Sequence, residues 1–149
     1  MSPEYAFDGK FSVKSDIFSF GVLLLEIVSG KRNRGFCHPS HQHNLLGHAW
    51  LLWSANRATE FIDGCLYDLV EPQVQRCIHI GLLCVQKFAN DRPAMCSIVA
   101  MLGNESASLP RPKQPGFFME RSSMDSSAIL THEELHSINA VSMTSLDGR

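Results

Sequence analysis

The sequence predicts an all-α domain followed by a largely irregular tail, on three observations. From residue 16 to residue 102, apolar residues recur at helical spacing between cap residues and glycines. No strand pattern is indicated in that span. Beyond Gly103 the composition turns to Ser, Pro and isolated apolar residues, and the periodicity fades. The chain therefore divides into residues 1–103, dense in Leu, Ile, Val and aromatics, and residues 104–149, expected to be mostly flexible.

The first strong helix is expected from Asp16 to about Ser29, with Ser15 as N-cap and Asp16 in the first turn. Its apolar residues cover almost the whole circumference, so it should be surrounded by neighbours. Gly30 supplies a left-handed stop, with Lys31 and Arg32 where cations suit the helix dipole. A loop follows over residues 35–43. Asn44 then caps a second helix running to about Ala55, whose Leu45, Leu46, Ala49, Trp50, Leu52 and Trp53 form one apolar face. A short helical piece is expected at residues 58–62. The third helix begins near Pro72, a residue suited to a first helical position, and carries Val74, Cys77, Ile78, Ile80, Leu83, Cys84 and Val85 as a broad stripe. A fourth spans residues 94–102, with Met95, Ile98, Val99 and Leu102 inward and Gly103 ending it. In the tail, Pro110, Pro112 and Pro115 favour extended chain, and Phe117 and Phe118 are candidates to dock back onto the helices.

Composition narrows the function classes. A net charge of −2 gives no field to attract nucleic acid or an anionic membrane. The longest apolar run, residues 20–28, is interrupted by Gly21 and Glu26 and falls short of the roughly 20 residues a span needs. Residues 1–4 show no basic region leading into an apolar one, so no secretory signal is expected. The five cysteines include no C-x-x-C pair, and reduced thiols in a reducing compartment are the simplest account. The sequon at Asn104 is then a chance match.

Three blocks carry chemical meaning as an ordered set: Ser2-Pro3-Glu4-Tyr5-Ala6, Asp16-Ile17-Phe18-Ser19-Phe20-Gly21, and Asp91-Arg92-Pro93. Together they resemble the last three motif blocks of a eukaryotic protein kinase domain, in order and spacing. Residues 44–50 and 76–86 narrow the resemblance to plant receptor-like serine/threonine kinases. The tail segments 112–118 and 137–149 are similar to the tail of S-locus or S-domain (lectin-type) receptor kinases. The resemblance implies the C-terminal helices of a kinase C-lobe over residues 1–103. It also implies that Glu4 and Arg92 form a buried ion pair tying the end of the activation segment to the base of that lobe. A planar guanidinium meeting a carboxylate in bidentate fashion suits such a role. Asp16, by the same resemblance, accepts backbone N–H groups of a catalytic loop. That loop is absent from this sequence, so Asp16 is expected to act at its own helix end.

Phosphoryl transfer needs a Gly-rich loop, a lysine on the neighbouring strand, a catalytic Asp and a magnesium-binding Asp. None of the ten glycines stands in a G-x-G arrangement, no histidine is followed by Arg-Asp, and Phe7-Asp8-Gly9 has the letters of the magnesium motif in the wrong order. No catalytic, cofactor-binding or metal residue is assigned. ATP and magnesium belong to the parent family. Cys37, His38, His41, His43 and His48 crowd one region, but their spacing fits no regular zinc module, and a polar surface loop is favoured. The Trp50 and Trp53 pair is assigned to core and groove lining.

The expected function is a truncated, catalytically incomplete piece of a receptor-like serine/threonine kinase. Two alternatives stand beside it: an interaction module or decoy binding a full-length kinase, and the end of a longer active kinase. Methionine often precedes Ser-Pro-Glu in such kinases, so Met1 is expected to be an internal residue read as a start. The chain is expected to be cytoplasmic, its parent a single-pass plasma-membrane protein. Without neighbours for the residue 16–29 helix, Phe18, Val22 and Leu25 should have uncovered faces, and stability should be marginal. The tail hydroxyls Ser122, Ser123, Ser126, Ser127, Thr144 and Ser145 are candidate phosphorylation sites.

Overall fold

The computed structural model describes residues 1–9, 12–39, 43–66 and 71–118. His41, the tail hydroxyls and the segment 137–149 lie outside the described residues. Five α-helices are present among them: α1 (Pro3–Asp8), α2 (Val13–Ser29), α3 (Leu45–Ser54), α4 (Glu71–Cys84) and α5 (Met95–Gly103). Short 3₁₀ turns occupy Ala58–Phe61, Gly64–Leu66 and Ala89–Asp91. The all-α class predicted from the sequence is the class observed.

The local signals that place these helices are mostly short-range. Asn44 caps α3 by accepting the Gly47 N–H at 2.9 Å. Gly30 ends α2 in the left-handed region, at φ 64°, where a side chain would also strike the Asp63 carboxylate. The start of α2 differs from expectation: it begins at Val13, and Ser12 is the cap, accepting the Ser15 N–H at 3.2 Å. Ser15 is drawn away because its own hydroxyl donates to Glu4 at 3.0 Å. Helix α1 was not expected at all. Pro3 in its first turn and Gly9 at φ 64° bound it, but six residues carry no readable period.

Helix α2 is the centre of the packing, and α4 crosses it most closely. Gly21 of α2 faces Gly81, Cys84 and Val85 of α4, so closely that an added Cβ would lie 2.5 Å from the Cys84 Cβ. Gly81 in turn accommodates Leu25, whose side-chain carbons would sit 2.9 Å from a Cβ there. Two core clusters form around this crossing. The larger joins Phe18, Leu25 and Val28 to Leu45, Leu46 and Ala49 of α3 and to Val74, Ile78 and Leu82 of α4. The smaller joins Ile17, Ile80, Cys84 and Ile98 between α2, α4 and α5. Each Leu or Ile fully buried here contributes about 1.5–3 kcal/mol of transfer free energy.

Exposure along α2 and α5 departs from the sequence reading. Phe18 and Leu25 are fully buried and Val22 is half-buried, whereas Leu23 and Ile27 are 52% and 62% exposed. The core side of α2 is filled by α3, α4 and residues after α5, which leaves the opposite side bare. On α5 only Ile98 is buried, while Met95, Val99 and Leu102 are exposed, because α5 meets the rest of the fold along one narrow line.

Residues 109–118 run extended across the end of α4 as a strap. Lys87 N–H donates to the Gln114 carbonyl at 3.1 Å and Gly116 N–H to the Val85 carbonyl at 2.9 Å, around a single antiparallel bridge between Gln86 and Pro115. Phe117 meets the Phe18 ring edge-on at 6.3 Å, and Phe118 stacks on His43 at 5.0 Å. Upstream, Arg76 gathers the carbonyls of Met101, Asn104, Glu105 and Ala107, closing the C-terminal end of α5.

Because backbone as well as side chain blocks a Cβ at Gly21, Gly21→Ala should force α2 and α4 apart. We expect a loss of about 1–3 kcal/mol, read as a lower urea midpoint with unchanged slope.

Candidate functional site

Two prolines prepare the site. Pro93 restricts the preceding residue to extended backbone, and Arg92 sits at φ −73°, ψ 137°. Pro3 begins α1 and sets Glu4 in its first turn. Between them, residues 88 apart in sequence meet: Arg92 Nη1 donates to Glu4 Oε1 at 2.7 Å, and Nη2 to Oε2 at 2.9 Å. This is the bidentate geometry in which guanidinium and carboxylate bind most strongly.

Every donor of Arg92 is placed. Besides the two bonds to Glu4, Nη1 donates to the Lys14 carbonyl at 2.8 Å, Nη2 to the Lys87 carbonyl at 3.4 Å, and Nε to the Gln86 carbonyl at 2.9 Å. A guanidinium has five N–H donors, and here five acceptors receive them. The Phe18 ring covers the cation at 4.9 Å, and the Lys14 ammonium caps the Arg92 carbonyl. The Arg92 side chain is fully buried, while Glu4 keeps 21% exposure. Such burial of a charge is tolerable only with this degree of satisfaction.

The Arg92 hydrogen bond holds the Glu4 carboxyl far below its ordinary range, down to about 2; partial burial opposes this, and a backbone N–H and the Ser15 hydroxyl assist it. Asp16, by contrast, is exposed in the first turn of α2 and makes no side-chain hydrogen bond or ion pair among the described residues. The structure thus brings two of the three residues singled out from sequence together and leaves the third at the surface. Ser15, Lys14 and Gln86 complete the pair, and sequence reasoning missed them. Lys14 and Ser15 stand beside the Asp16 block and Gln86 ends the 76–86 stretch, but the resemblance attached no role to any of them.

The histidine-rich region resolves into ring packing. His48 is buried and lies 4.5 Å from His38, 5.5 Å from Phe36 and 6.0 Å from Phe61, centroid to centroid. Among the described residues no three His, Cys, Asp or Glu side chains converge on a metal position. All five cysteines are free thiols, and burial pushes the Cys84 thiol up to about 12, which leaves it inert. A cleft of about 510 Å³ lies between Trp53, Arg76, His79 and Leu109, and one of about 390 Å³ between Pro3, Phe7, Lys87 and Phe118. Neither holds a glycine-rich loop or a carboxylate pair for a nucleotide and its cation. No helix among the described residues is long and apolar enough to cross a membrane.

Comparison with known proteins places this geometry. Residues 1–102 match the family described as protein tyrosine and serine/threonine kinase, and residues 104–149 match a domain of unknown function, DUF3403. The chain is 54% identical over 151 residues to the G-type lectin S-receptor-like serine/threonine-protein kinase SD1-1 of Arabidopsis thaliana. It is 49% identical over 160 residues to the related kinase SRK of the same plant. Each alignment covers 100% of this chain but only 18% and 19% of those relatives. The pseudokinase domain of BIR2, an immune regulator of the RLK/Pelle family, is similar in structure, with TM-score 0.59 and 25% identity over 72% of this chain and 34% of that one.

Removing one partner of the pair leaves the other charge uncompensated. Arg92→Ala, which also strips the donor from three backbone carbonyls, should cost about 3–5 kcal/mol of stability, and Glu4→Gln somewhat less because the amide oxygen can still accept from the guanidinium. The sign of the pH effect follows from the lowered carboxyl: its contribution is full above the ordinary value of 4.5 and is lost as pH falls toward about 2. Urea midpoints measured between those limits should fall more steeply for the wild type than for Glu4→Gln.

Proposed function

The chain belongs to the protein tyrosine and serine/threonine kinase family, as a C-terminal portion of a plant receptor-like serine/threonine kinase, and on that premise we propose that it forms the base of the kinase C-lobe. In this reading it anchors the end of the activation segment and supplies no group that touches nucleotide or metal. The observation that carries it is the Glu4–Arg92 pair with all five arginine donors placed. A site built to that degree serves to hold α1 in one position, and α1 is the stretch that continues from an activation segment in the family. The unpaired carboxylate of Asp16 supports the same reading, since it is open to backbone donors from chain preceding residue 1.

The parent activity under this proposal is ATP-dependent protein phosphorylation with magnesium, on the cytoplasmic side of a plasma-membrane receptor. The residues present here do not fit ATP or magnesium, so that chemistry rests on residues outside this sequence. A second reading, a non-catalytic module docking on a full-length kinase, is favoured by one observation. Leu23 and Ile27 stand four residues apart on one exposed side of α2, an apolar surface that a protein partner would cover.

Replacing the matching C-terminal portion of the SD1-1 kinase with residues 1–149 tests the first reading. Autophosphorylation should persist in the chimera and fall at least about tenfold with Arg92→Ala. An inactive chimera that folds normally would overturn it. In parallel, titration of the 149-residue chain with magnesium and ATP should show no saturable heat and no shift in unfolding temperature.

A further inference from the structure

The Glu4–Arg92 pair lies within the segment matched to the kinase family, yet part of its enclosure comes from beyond that segment. Gln86 is 2% exposed and stands between the two. Its backbone carbonyl accepts Arg92 Nε–H at 2.9 Å, while its side-chain Oε1 accepts the N–H of Lys113 at 2.7 Å. Its Nε2 donates to the carbonyls of Leu83 and Asp91 at 3.0 and 2.7 Å, so the residue has no freedom to turn away. A second line of contact runs through apolar groups. Phe18 covers the Arg92 guanidinium on one side and receives the edge of Phe117 on another. A third is steric: Gly116 lies so close to α1 that an added Cβ would sit 2.6 Å from Pro3 Cγ and 3.2 Å from Phe18 Cε2.

We infer that residues 109–118 act as a latch in cis that positions the Glu4–Arg92 pair, with Gln86 as the positioning residue that joins strap to pair. The inference stands on contacts within this chain and does not depend on the kinase reading. It gives a role to the first part of the segment matched only to a domain of unknown function. Helix α1 has six residues, too few to hold itself in place, so its position follows from what presses on it. With the strap seated, Pro3 is backed by Gly116 and water is kept from the buried guanidinium. With the strap lifted, Phe18 and Gln86 lose their outer partners, and α1 is free to separate.

The latch is also built to open. Phe117 holds φ 60°, a left-handed conformation unfavourable for an aromatic residue, and keeps 46% of its surface in water. The Lys113 ammonium that fastens to Asp91 at 2.6 Å is itself exposed. Residues joined by a strained aromatic and a surface ion pair form the lower-stability end of a fold.

The test is exchange of the Arg92 Nε–H, followed by nitrogen-15 NMR on the full chain. Two variants loosen the strap without touching Glu4 or Arg92: Gly116→Val, which forces it off Pro3, and the milder Phe117→Ala, which should stay folded. We expect Arg92 Nε–H to exchange at least about tenfold faster in both, with α3 amides unchanged. Phe117→Ala combined with Glu4→Gln should then destabilise less than the sum of the single changes. An unchanged Arg92 rate, with the Lys113 and Gly116 amides exchanging faster, would show a passive tail and overturn the latch. Equal acceleration everywhere, α3 included, would overturn it too, because the strap would then act only on global stability. Should Gly116→Val fail to fold, Phe117→Ala decides alone.

Discussion

One buried cation sets the terms for this end of the molecule. A guanidinium taken fully out of water is tolerable only if its charge is matched and each N–H finds an acceptor. Arg92 meets that demand by drawing on three separate stretches of chain: α1, the start of α2 and the residues that follow α4. The demand works in both directions. Arg92 is satisfied because those stretches converge, and they converge at one relative position because few other arrangements would satisfy it. Apolar packing alone would tolerate small slips between α1 and α2; a bidentate pair does not.

Behind this polar junction stands a close approach of two helices. Without side chains at Gly21 and Gly81, α2 and α4 come near enough for Leu25 to fill the space over one glycine and Cys84 and Val85 to press on the other. That crossing decides where the end of α4 emerges, and therefore where the Gln86 and Lys87 carbonyls point. Polar junction and helix crossing are one construction: the crossing aims the carbonyls, and the arginine reads their position.

The parts legible in the sequence were those decided locally. Asn44 and Gly30 each act on neighbours within a few residues, and the apolar stripes of α3 and α4 repeat often enough to reveal their period. The start of α2 was misread because Ser15 spends its hydroxyl on a partner eleven residues away, which no capping rule can see. The exposure of Leu23, Ile27, Val99 and Leu102 was hidden for another reason, since periodicity records what could be buried and not what remains to bury it. For the site, Glu4 and Arg92 were marked by motif resemblance, not by spacing. Gln86 closes the 76–86 stretch that narrowed the resemblance, but no role was attached to it. Its importance arises from a backbone carbonyl on one side and a side-chain oxygen on the other, and neither depends on its being a motif residue.

The long separation of the paired residues has a consequence for biosynthesis. Glu4 leaves the ribosome 88 residues ahead of the arginine that neutralises it. At roughly 5–20 residues per second it waits on the order of 4–18 seconds, with α2 and its apolar side already made and α4 still to come. Helical domains commonly fold through near neighbours, but this junction closes over a long separation in sequence. Until residues 86–92 emerge Glu4 has no guanidinium to meet, so the position of α1 is fixed only after α4 has been made.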